Sequence, residues 1–332
     1  MTQVQGRAVA ALVGAALGAA VALGAERLAA HDERRGQAEA LWDRGIERYL
    51  RGDGEGALED MDALLALRPD DQEAHYIRGR ALMDLERWPA AVAALERAIE
   101  LDPEDLRARL ALGKSHREQG DHRAAVRDAD GALAVRPHSG DALVTRGAAK
   151  DELGDAAGAR ADFEAALGLD PRQTGALVSL AWQRVKAADA RSALEPIGRA
   201  LAITPKAHDA RLVSARAWAD LGDHKRALED LTAAILDRLD DTTALSMRAE
   251  SRVFAGDPQG ALHDAALAVE LEPDDWYPWK ARGLAHAAAG KEQEAVGDYL
   301  KAMELIPSGH PRIEEIQREL SALRKLLRGE GR

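Results

Sequence analysis

The stretch QEAHYIRGRALMDLERWPAAVAALERAIELDPED, Gln72–Asp105, decides the fold, because its pattern recurs every 34 residues along the chain of 332. A small residue followed twelve positions later by alanine marks each unit, as Gly79 and Ala91 do here. The alanines are Ala57, Ala91, Ala125, Ala159, Ala193, Ala227, Ala261 and Ala295, and the small residues are Gly45, Gly79, Gly113, Gly147, Ala181, Ala215, Ala249 and Gly283. A period of this length predicts a helical solenoid, an architecture that usually binds partners rather than catalysing reactions.

Each unit predicts two antiparallel helices joined by a short turn. In the quoted unit, apolar residues recur at helical spacing in both halves, from Tyr76 to Leu85 and from Ala91 to Leu101. In most units a glycine such as Gly120 separates the halves, and glycine suits the left-handed conformation just past a helix end. The recurring small residues allow the two helices to approach closely.

A proline completes the pattern, which resembles that of the tetratricopeptide repeat family. The prolines are Pro69, Pro103, Pro137, Pro171, Pro205, Pro273 and Pro307, and Leu239 stands in this place in the sixth unit. The resemblance implies an all-α, right-handed superhelical solenoid of antiparallel helix pairs, with a concave groove that holds peptides or partner proteins. It covers eight units: 38–71, 72–105, 106–139, 140–173, 174–207, 208–241, 242–275 and 276–309.

Two regions flank or interrupt the regular array. Residues 310–332 predict a C-terminal capping helix that Pro311 opens, since the last unit of a solenoid needs an amphipathic cover; a partner-binding helix is the alternative. Its apolar side comprises Ile313, Ile316, Leu320, Leu323 and Leu327. Units five and six, 174–241, predict an irregular joint, because Pro196 stands inside a helix and would kink it.

Arginines and aspartates add a second regularity to the array. An arginine precedes the small residue in several units, and an aspartate lies 18 residues upstream of each such arginine that has a preceding unit. We therefore predict ion pairs between successive units; the alternative is that these charges are exposed and unpaired. The predicted pairs are Asp60–Arg78, Asp128–Arg146, Asp230–Arg248 and Asp264–Arg282.

The resemblance also implies where a partner would bind. In this family the inner face of the first helix of each unit carries the ligand contacts. The residues at these positions are Trp42, Tyr49, Tyr76, Arg80, Met83, Lys114, Arg117, Trp182, Lys186, Arg216, Phe254, Tyr277 and Lys280. Packing of Trp42, Tyr49 and Leu50 on the preceding segment, and of Trp182 within the joint, is the alternative. Members that grip a terminal carboxylate use asparagines, and this chain contains none.

Composition and motifs argue against other classes of function. A net charge of −12 argues against nucleic acid as a partner, and the absence of cysteine excludes thiolate chemistry and cysteine zinc sites. No known catalytic motif occurs, and helix pairs account for all of 38–309, so we expect neither an enzyme nor a cofactor or metal site. An excess of arginine over lysine, together with the lack of asparagine, suggests a bacterial source.

The N-terminal region 1–37 contains an uncharged apolar run, residues 8–25. A helix of this length spans about 27 Å, close to the hydrocarbon core of a bilayer. We expect a single-pass membrane anchor followed by a helical linker; a cleaved signal peptide that leads to export, or a soluble cap, are the alternatives. Gly14 and Gly18 are spaced as in helix dimers within membranes, which leaves a homo-oligomer open.

Together these features predict a membrane-tethered interaction adaptor or assembly factor that binds a protein or peptide segment in its groove. The alternative is a structural scaffold that assembles with itself. The side of the membrane and the identity of the partner do not follow from the sequence.

Overall fold

The computed structural model describes residues 32–310 and 312–327, which are α-helical apart from short turns. These residues form α1 (32–50), α2 (Gly54–Leu67), α3 (Gln72–Asp84), α4 (Trp88–Leu101), α5 (Leu106–Glu118), α6 (His122–Val135), α7 (Gly140–Glu152), α8 (Ala156–Leu169), α9 (Thr174–Lys186), α10 (Ala190–Ile203), α11 (His208–Asp220), α12 (His224–Asp237), α13 (Thr242–Phe254), α14 (Pro258–Leu271), α15 (Trp276–Ala288), α16 (Glu292–Leu305) and α17 (Ile313–Leu327). The helical linker expected within 1–37 is, from residue 32, continuous with the first helix of the first unit.

The chain divides into two compact units, with the boundary between Asp155 and Ala156. In the first compact unit, α3 packs on α4 and α5 on α6, and each pair contacts the helix that follows. In the second unit, α9 to α16 pack as four such pairs, again with contacts from each pair to the next helix. The predicted all-α array of sequential antiparallel helix pairs is therefore confirmed.

Local sequence explains where the helices begin and end. Asp71 caps α3 by accepting a hydrogen bond from the backbone N–H of Ala74 at 3.1 Å, as Asp121 does at the start of α6. The turn glycines, such as Gly120 at φ +82°, adopt the left-handed conformation that their position requires. In the second and fifth repeats, Glu86 and Ala188 adopt it instead.

The predicted close crossing of paired helices is present at Gly79. A Cβ atom added there would lie 2.7 Å from Cγ of Leu95 on α4, so a larger residue would displace that side chain. Ala91 and Ala98 on the same helix are fully buried. Small residues at these positions therefore let the two helices pack directly against each other.

Pro196 does not create the irregular joint that the sequence predicts at 174–241. It is buried within α10, which runs as one helix of the same length as its counterparts, and the boundary between compact units falls elsewhere. Proline cannot donate to the carbonyl four residues before it, here that of Ser192. Arg184 on α9 donates to that carbonyl at 2.6 Å, so the acceptor is satisfied from the neighbouring helix.

The predicted ion pairs are wrong in their pairing. Arg248 binds Asp264 within its own helix pair through two hydrogen bonds of 2.8 and 2.7 Å, rather than Asp230. Arg282 binds Asp298 in the same way instead of Asp264, and neither Asp60–Arg78 nor Asp128–Arg146 forms. The observed partners are Asp60 with Arg44 and Arg48, Asp128 with His116, Asp230 with Arg211 at 4.0 Å, Arg78 with Asp62 and Arg146 with Asp130.

Helix geometry explains this difference. Residues 60 and 62 of α2 are separated by about 200° around the helix axis. Asp60 therefore faces α1 of its own pair, and Asp62 faces α3 of the next pair. The link between successive pairs exists, but it joins Arg78 to Asp62, 16 residues upstream, at 2.6 Å.

The C-terminal helix α17 covers the last helix pair, as the sequence predicts. Ile316, Leu320 and Leu323 are buried and pack in one cluster with Tyr299 and Ala302 of α16. Leu327, which belongs to the predicted apolar side, is exposed. Residue 311 lies outside the described residues.

The predicted anchor at 8–25, including Gly14 and Gly18, also lies outside the described residues. Over residues 32–310 and 312–327, every helix is too short or too polar to span a bilayer.

Candidate functional site

The first compact unit contains a cleft lined by the inner faces of α3, α5 and α7, each of which is the first helix of its repeat. This first cleft has a volume of about 430 Å³. It contains five of the residues predicted from the sequence, together with several of their neighbours on the same helix faces. The lining comprises Tyr76, Arg80, Met83, Asp84, Trp88, Arg107, Leu110, Ala111, Lys114, Arg117, Asp141, Val144 and Thr145.

Tyrosine and arginine side chains alternate along one side of the first cleft. The guanidinium of Arg80 lies 5.9 Å from the ring centre of Tyr49 and 6.0 Å from that of Tyr76. Arg80 also donates a hydrogen bond to the Tyr76 hydroxyl at 3.0 Å. The guanidinium of Arg107 lies 4.8 Å from the centre of the same Tyr76 ring. These cation–π contacts hold the arginines in place before any partner arrives.

Some of the cationic groups around this cleft form ion pairs with carboxylates, and others do not. Arg107 is held by Glu73 and Asp105, and Arg117 is paired with the adjacent Glu118. Within the described part of the chain, no carboxylate lies within ion-pair distance of Arg80 or of the exposed Lys114. Two cationic groups are therefore available to an incoming anion.

The second compact unit contains a larger and more apolar cleft on the inner faces of α9, α11, α13 and α15. This second cleft has a volume of about 660 Å³. Trp182, 40% exposed, and Met247 lie on its wall with Trp276 and Tyr277. Cationic residues at its edge are already engaged, since Arg216 pairs with Asp220 at 2.9 Å and Arg312 with Glu315 at 3.5 Å. Apolar burial would dominate binding there.

Lys280 lines a smaller cleft together with the predicted residues Arg216 and Phe254, and its ammonium group is already paired there. Its side chain is 4% exposed and lies between Glu250 of α13, at 2.8 Å, and Glu315 of α17, at 3.0 Å. Burial disfavours its charge, but the two carboxylates outweigh this effect and raise the pKa of Lys280. The sequence position alone did not reveal this, because the burial depends on how α17 packs.

Other predicted residues have different surroundings. Trp42 is half-buried and packs against the core of the first repeats. Phe254 is exposed but stacks on His224, with ring centres 4.8 Å apart. Lys186 lies beside Trp182 on the wall of the second cleft. Among the lining residues of this cleft that sequence reasoning did not identify are Trp276, His310 and Arg312.

The chemistry of both clefts is that of binding. Their side chains supply ring faces, apolar surface and cationic donors, and no group of three or more histidine, aspartate or glutamate side chains among the described residues could hold a metal ion. Burial raises the pKa of the Tyr49 hydroxyl above its usual value.

These features define a helical repeat protein with clefts on the inner faces of the first helices of its repeats. Residues 43–105, 110–174 and 246–310 match the family model described as tetratricopeptide repeat. Because these residues make up more than half of the chain, the protein belongs to the tetratricopeptide repeat family. Proteins of this family typically mediate protein–protein interactions and are typically non-catalytic.

Solved structures share the fold at low sequence identity. A tetratricopeptide repeat protein from Parabacteroides merdae is 20% identical, with a TM-score of 0.53, over 76% of this chain and 98% of its own. The APC/C hetero-tetramer Cut9–Hcn1 is 13% identical, with a TM-score of 0.67, over 85% of this chain and 55% of that chain. PilW, a type IV pilus biogenesis factor, is 18% identical, with a TM-score of 0.54, over 66% and 97%. Comparison with curated protein sequences finds no significant match.

Proposed function

We propose that this protein is a non-catalytic adaptor or assembly factor that binds a segment of a partner protein along the inner faces of its first helices. The first cleft carries the proposal, because Tyr49, Arg80, Tyr76 and Arg107 form a preorganised row with cationic donors facing the cleft. Aromatic and arginine side chains are enriched among the residues that dominate binding energy at interfaces. Preorganisation lowers the entropy that binding must overcome.

Photo-cross-linking tests this function directly. The photoreactive residue benzoylphenylalanine would replace Trp182 in the second cleft, within the full-length chain in cells that naturally make it. A matched control would replace Glu229, an exposed residue of α12 that lines neither cleft. We expect the Trp182 position to form an adduct with a foreign protein and the Glu229 position not to. Equal labelling at both positions, or none at either, would contradict the proposal.

Self-assembly into a scaffold is the second candidate, and two exposed leucines favour it. Leu236 and Leu239 are three residues apart around the C-terminal end of α12, and both are largely exposed. The other repeats have a proline at the position of Leu239. Exposed apolar side chains of this kind mark interaction surfaces. Light scattering distinguishes the two candidates, because a scaffold grows with protein concentration and an adaptor stays monomeric until its partner is added.

We further propose that residues 8–25 tether the protein to a membrane. The uncharged sequence of this segment supports the tether, and a helix of its length nearly spans a bilayer. Fractionation of the full chain and of a variant lacking residues 8–25 tests it, together with the mass of the mature N-terminus. The full chain is expected in the membrane fraction and the variant in the soluble one. Recovery of both in the soluble fraction would contradict the tether.

A further inference from the structure

Four cationic side chains line the first cleft, although the whole chain is strongly acidic. Its lining includes Arg80, Arg107, Lys114 and Arg117 but only two acidic side chains, Asp84 and Asp141, whereas the net charge of the protein is −12. Arg107 and Arg117 are paired with acidic neighbours, so Arg80 and Lys114 are the cations of this cleft that an incoming anion can pair with. Clefts lined by one sign of charge concentrate ligands of the opposite sign.

The arrangement of the arginines favours carboxylates over nucleic acid bases. Arg107 lies over the Tyr76 ring, and Arg80 lies 5.9 and 6.0 Å from the ring centres of Tyr49 and Tyr76, so cations already stand beside these rings. Bases bind single-stranded nucleic acid sites by stacking on open aromatic faces. A carboxylate instead binds the edge of a guanidinium, whose planar fork of donors matches its two oxygens. Arg80 uses one such donor for the Tyr76 hydroxyl and retains the others.

Apolar side chains lie among these cations. Met83 of α3, Leu110 of α5 and Val144 of α7 line the same cleft. A volume of about 430 Å³ accommodates a few side chains of an extended segment rather than a folded domain. The site therefore offers places both for carboxylates and for an apolar side chain between them.

We propose that the first cleft binds an extended acidic segment of a partner protein, with carboxylates at Arg80 and Lys114 and an apolar side chain among Met83, Leu110 and Val144. This inference rests on the proposed function and specifies the chemistry of the partner. It differs from the recognition of a terminal carboxylate by asparagines, because this chain has no asparagine and the cations lie along the cleft.

Binding of defined peptides tests the proposal. The probes are a fluorescein-labelled peptide of alternating glutamate and leucine and its counterpart of lysine and leucine, titrated with the full chain. We expect the acidic peptide to bind at least about tenfold more tightly. Its affinity should fall as salt is added, because the cations are partly exposed and salt screens them.

Substitution of Lys114 locates the binding site. Lys114 is exposed, so Lys114→Glu is not expected to disturb folding. It should lower the affinity for the acidic peptide by about tenfold. Lys114→Arg should retain binding. The matched control is Arg123→Glu, which makes the same change of charge at an exposed position of α6 outside the cleft, and it should alter affinity by less than about twofold.

The outcomes separate this inference from the proposed function. Equal binding of both peptides, or an equal effect of Lys114→Glu and Arg123→Glu, would overturn the proposal that the partner segment is acidic. If a foreign protein still cross-links at Trp182 in that case, the adaptor function stands and only the partner chemistry is wrong. Displacement of the acidic peptide by single-stranded DNA with higher affinity would overturn the inference in favour of a nucleic acid ligand.

Discussion

Arg184 donates a hydrogen bond from Nη1 to the backbone carbonyl of Ser192, across 2.6 Å. Pro196, four residues later, cannot supply the helical N–H that would normally reach this carbonyl. The same contact exists in the first repeat, where Arg48 donates to the carbonyl of Gly56 at 3.0 Å. A contact that belongs to the repeat therefore also allows the fifth repeat to hold a proline inside its helix.

Loss of this hydrogen bond should destabilise the protein in a way that depends on Pro196. We expect Arg184→Met to lower the free energy of unfolding by about 1–2 kcal/mol, because it leaves a helical carbonyl without a donor. In a Pro196→Ala background the restored N–H should satisfy Ser192, so the same change should cost less. Urea unfolding of the four variants measures the difference; identical costs in both backgrounds would count against the role of Arg184.

The two kinds of aspartate should differ in their contribution to stability. Asp264 is 1% exposed, accepts hydrogen bonds from Arg248 and forms an ion pair with Arg252, whereas Asp62 is 52% exposed and pairs with Arg78. We expect Asp264→Asn to destabilise by about 3 kcal/mol, since it leaves buried guanidiniums poorly paired. Asp62→Asn should change stability by less than about 1 kcal/mol. Thermal unfolding of both variants tests this order, and a larger loss for Asp62→Asn would show that the links between repeats dominate.

The stabilisation from Asp60 should depend on pH. The hydrogen bond from Arg44 lowers the pKa of Asp60 below its usual value, despite the opposing effect of burial. Because the folded pKa is the lower one, the stabilisation is present above the unfolded pKa and is lost as the pH falls through the folded pKa. We expect Asp60→Asn to lower the melting temperature at neutral pH and to approach the wild type below about pH 4. Circular dichroism melts at several pH values measure this convergence.

Asp128 provides the control of opposite sign. Burial raises its pKa, although the hydrogen bond with His116 opposes the shift. Its contribution to stability is greatest below the unfolded pKa and declines as the pH rises through the folded pKa. Asp128→Asn should therefore become less destabilising as the pH rises from about 4. Parallel pH profiles for the two variants would contradict both assignments.

Glycines at helix crossings should respond differently from glycines on open helix surfaces. A Cβ atom at Gly79 would meet Leu95 at 2.7 Å, whereas one at Gly297 in α16 would meet nothing within 4 Å. We expect Gly79→Ala to lower stability by about 1 kcal/mol through overpacking and Gly297→Ala to raise it by up to about 1 kcal/mol through helix propensity. Chemical unfolding measures both signs; a stabilising Gly79→Ala would mean that Leu95 moves aside freely.

The repeat period was sufficient to predict the helix pairs and the close crossing at Gly79, because both depend on small residues at fixed spacing. The partners of the arginines were not predictable from spacing alone. Asp60 and Asp62 lie on opposite sides of one helix, so the choice of partner for Arg78 depends on the packing of neighbouring repeats. The absence of an acidic residue at position 94, where Ala94 stands, was the available signal that Arg78 pairs elsewhere.

The clefts were predictable to a similar extent. The family positions identify Tyr76, Arg80 and Lys114 as inner-face residues, and the structure places them in one cleft. The same positions do not reveal the burial of Lys280, which arises because helix α17 packs over it and brings Glu315 into contact. The repeat period cannot predict burial by a helix that lies outside the repeat pattern.

Hydrogen–deuterium exchange of the full chain, with and without the cross-linked partner's segment, tests the binding face most directly. If the partner lies along the inner faces of the first helices of the repeats, exchange should slow in helices that line the two clefts, such as α5 and α11, and remain unchanged in α6 and α12. Protection confined to α6 and α12 would place the partner on the opposite face and contradict the proposed function.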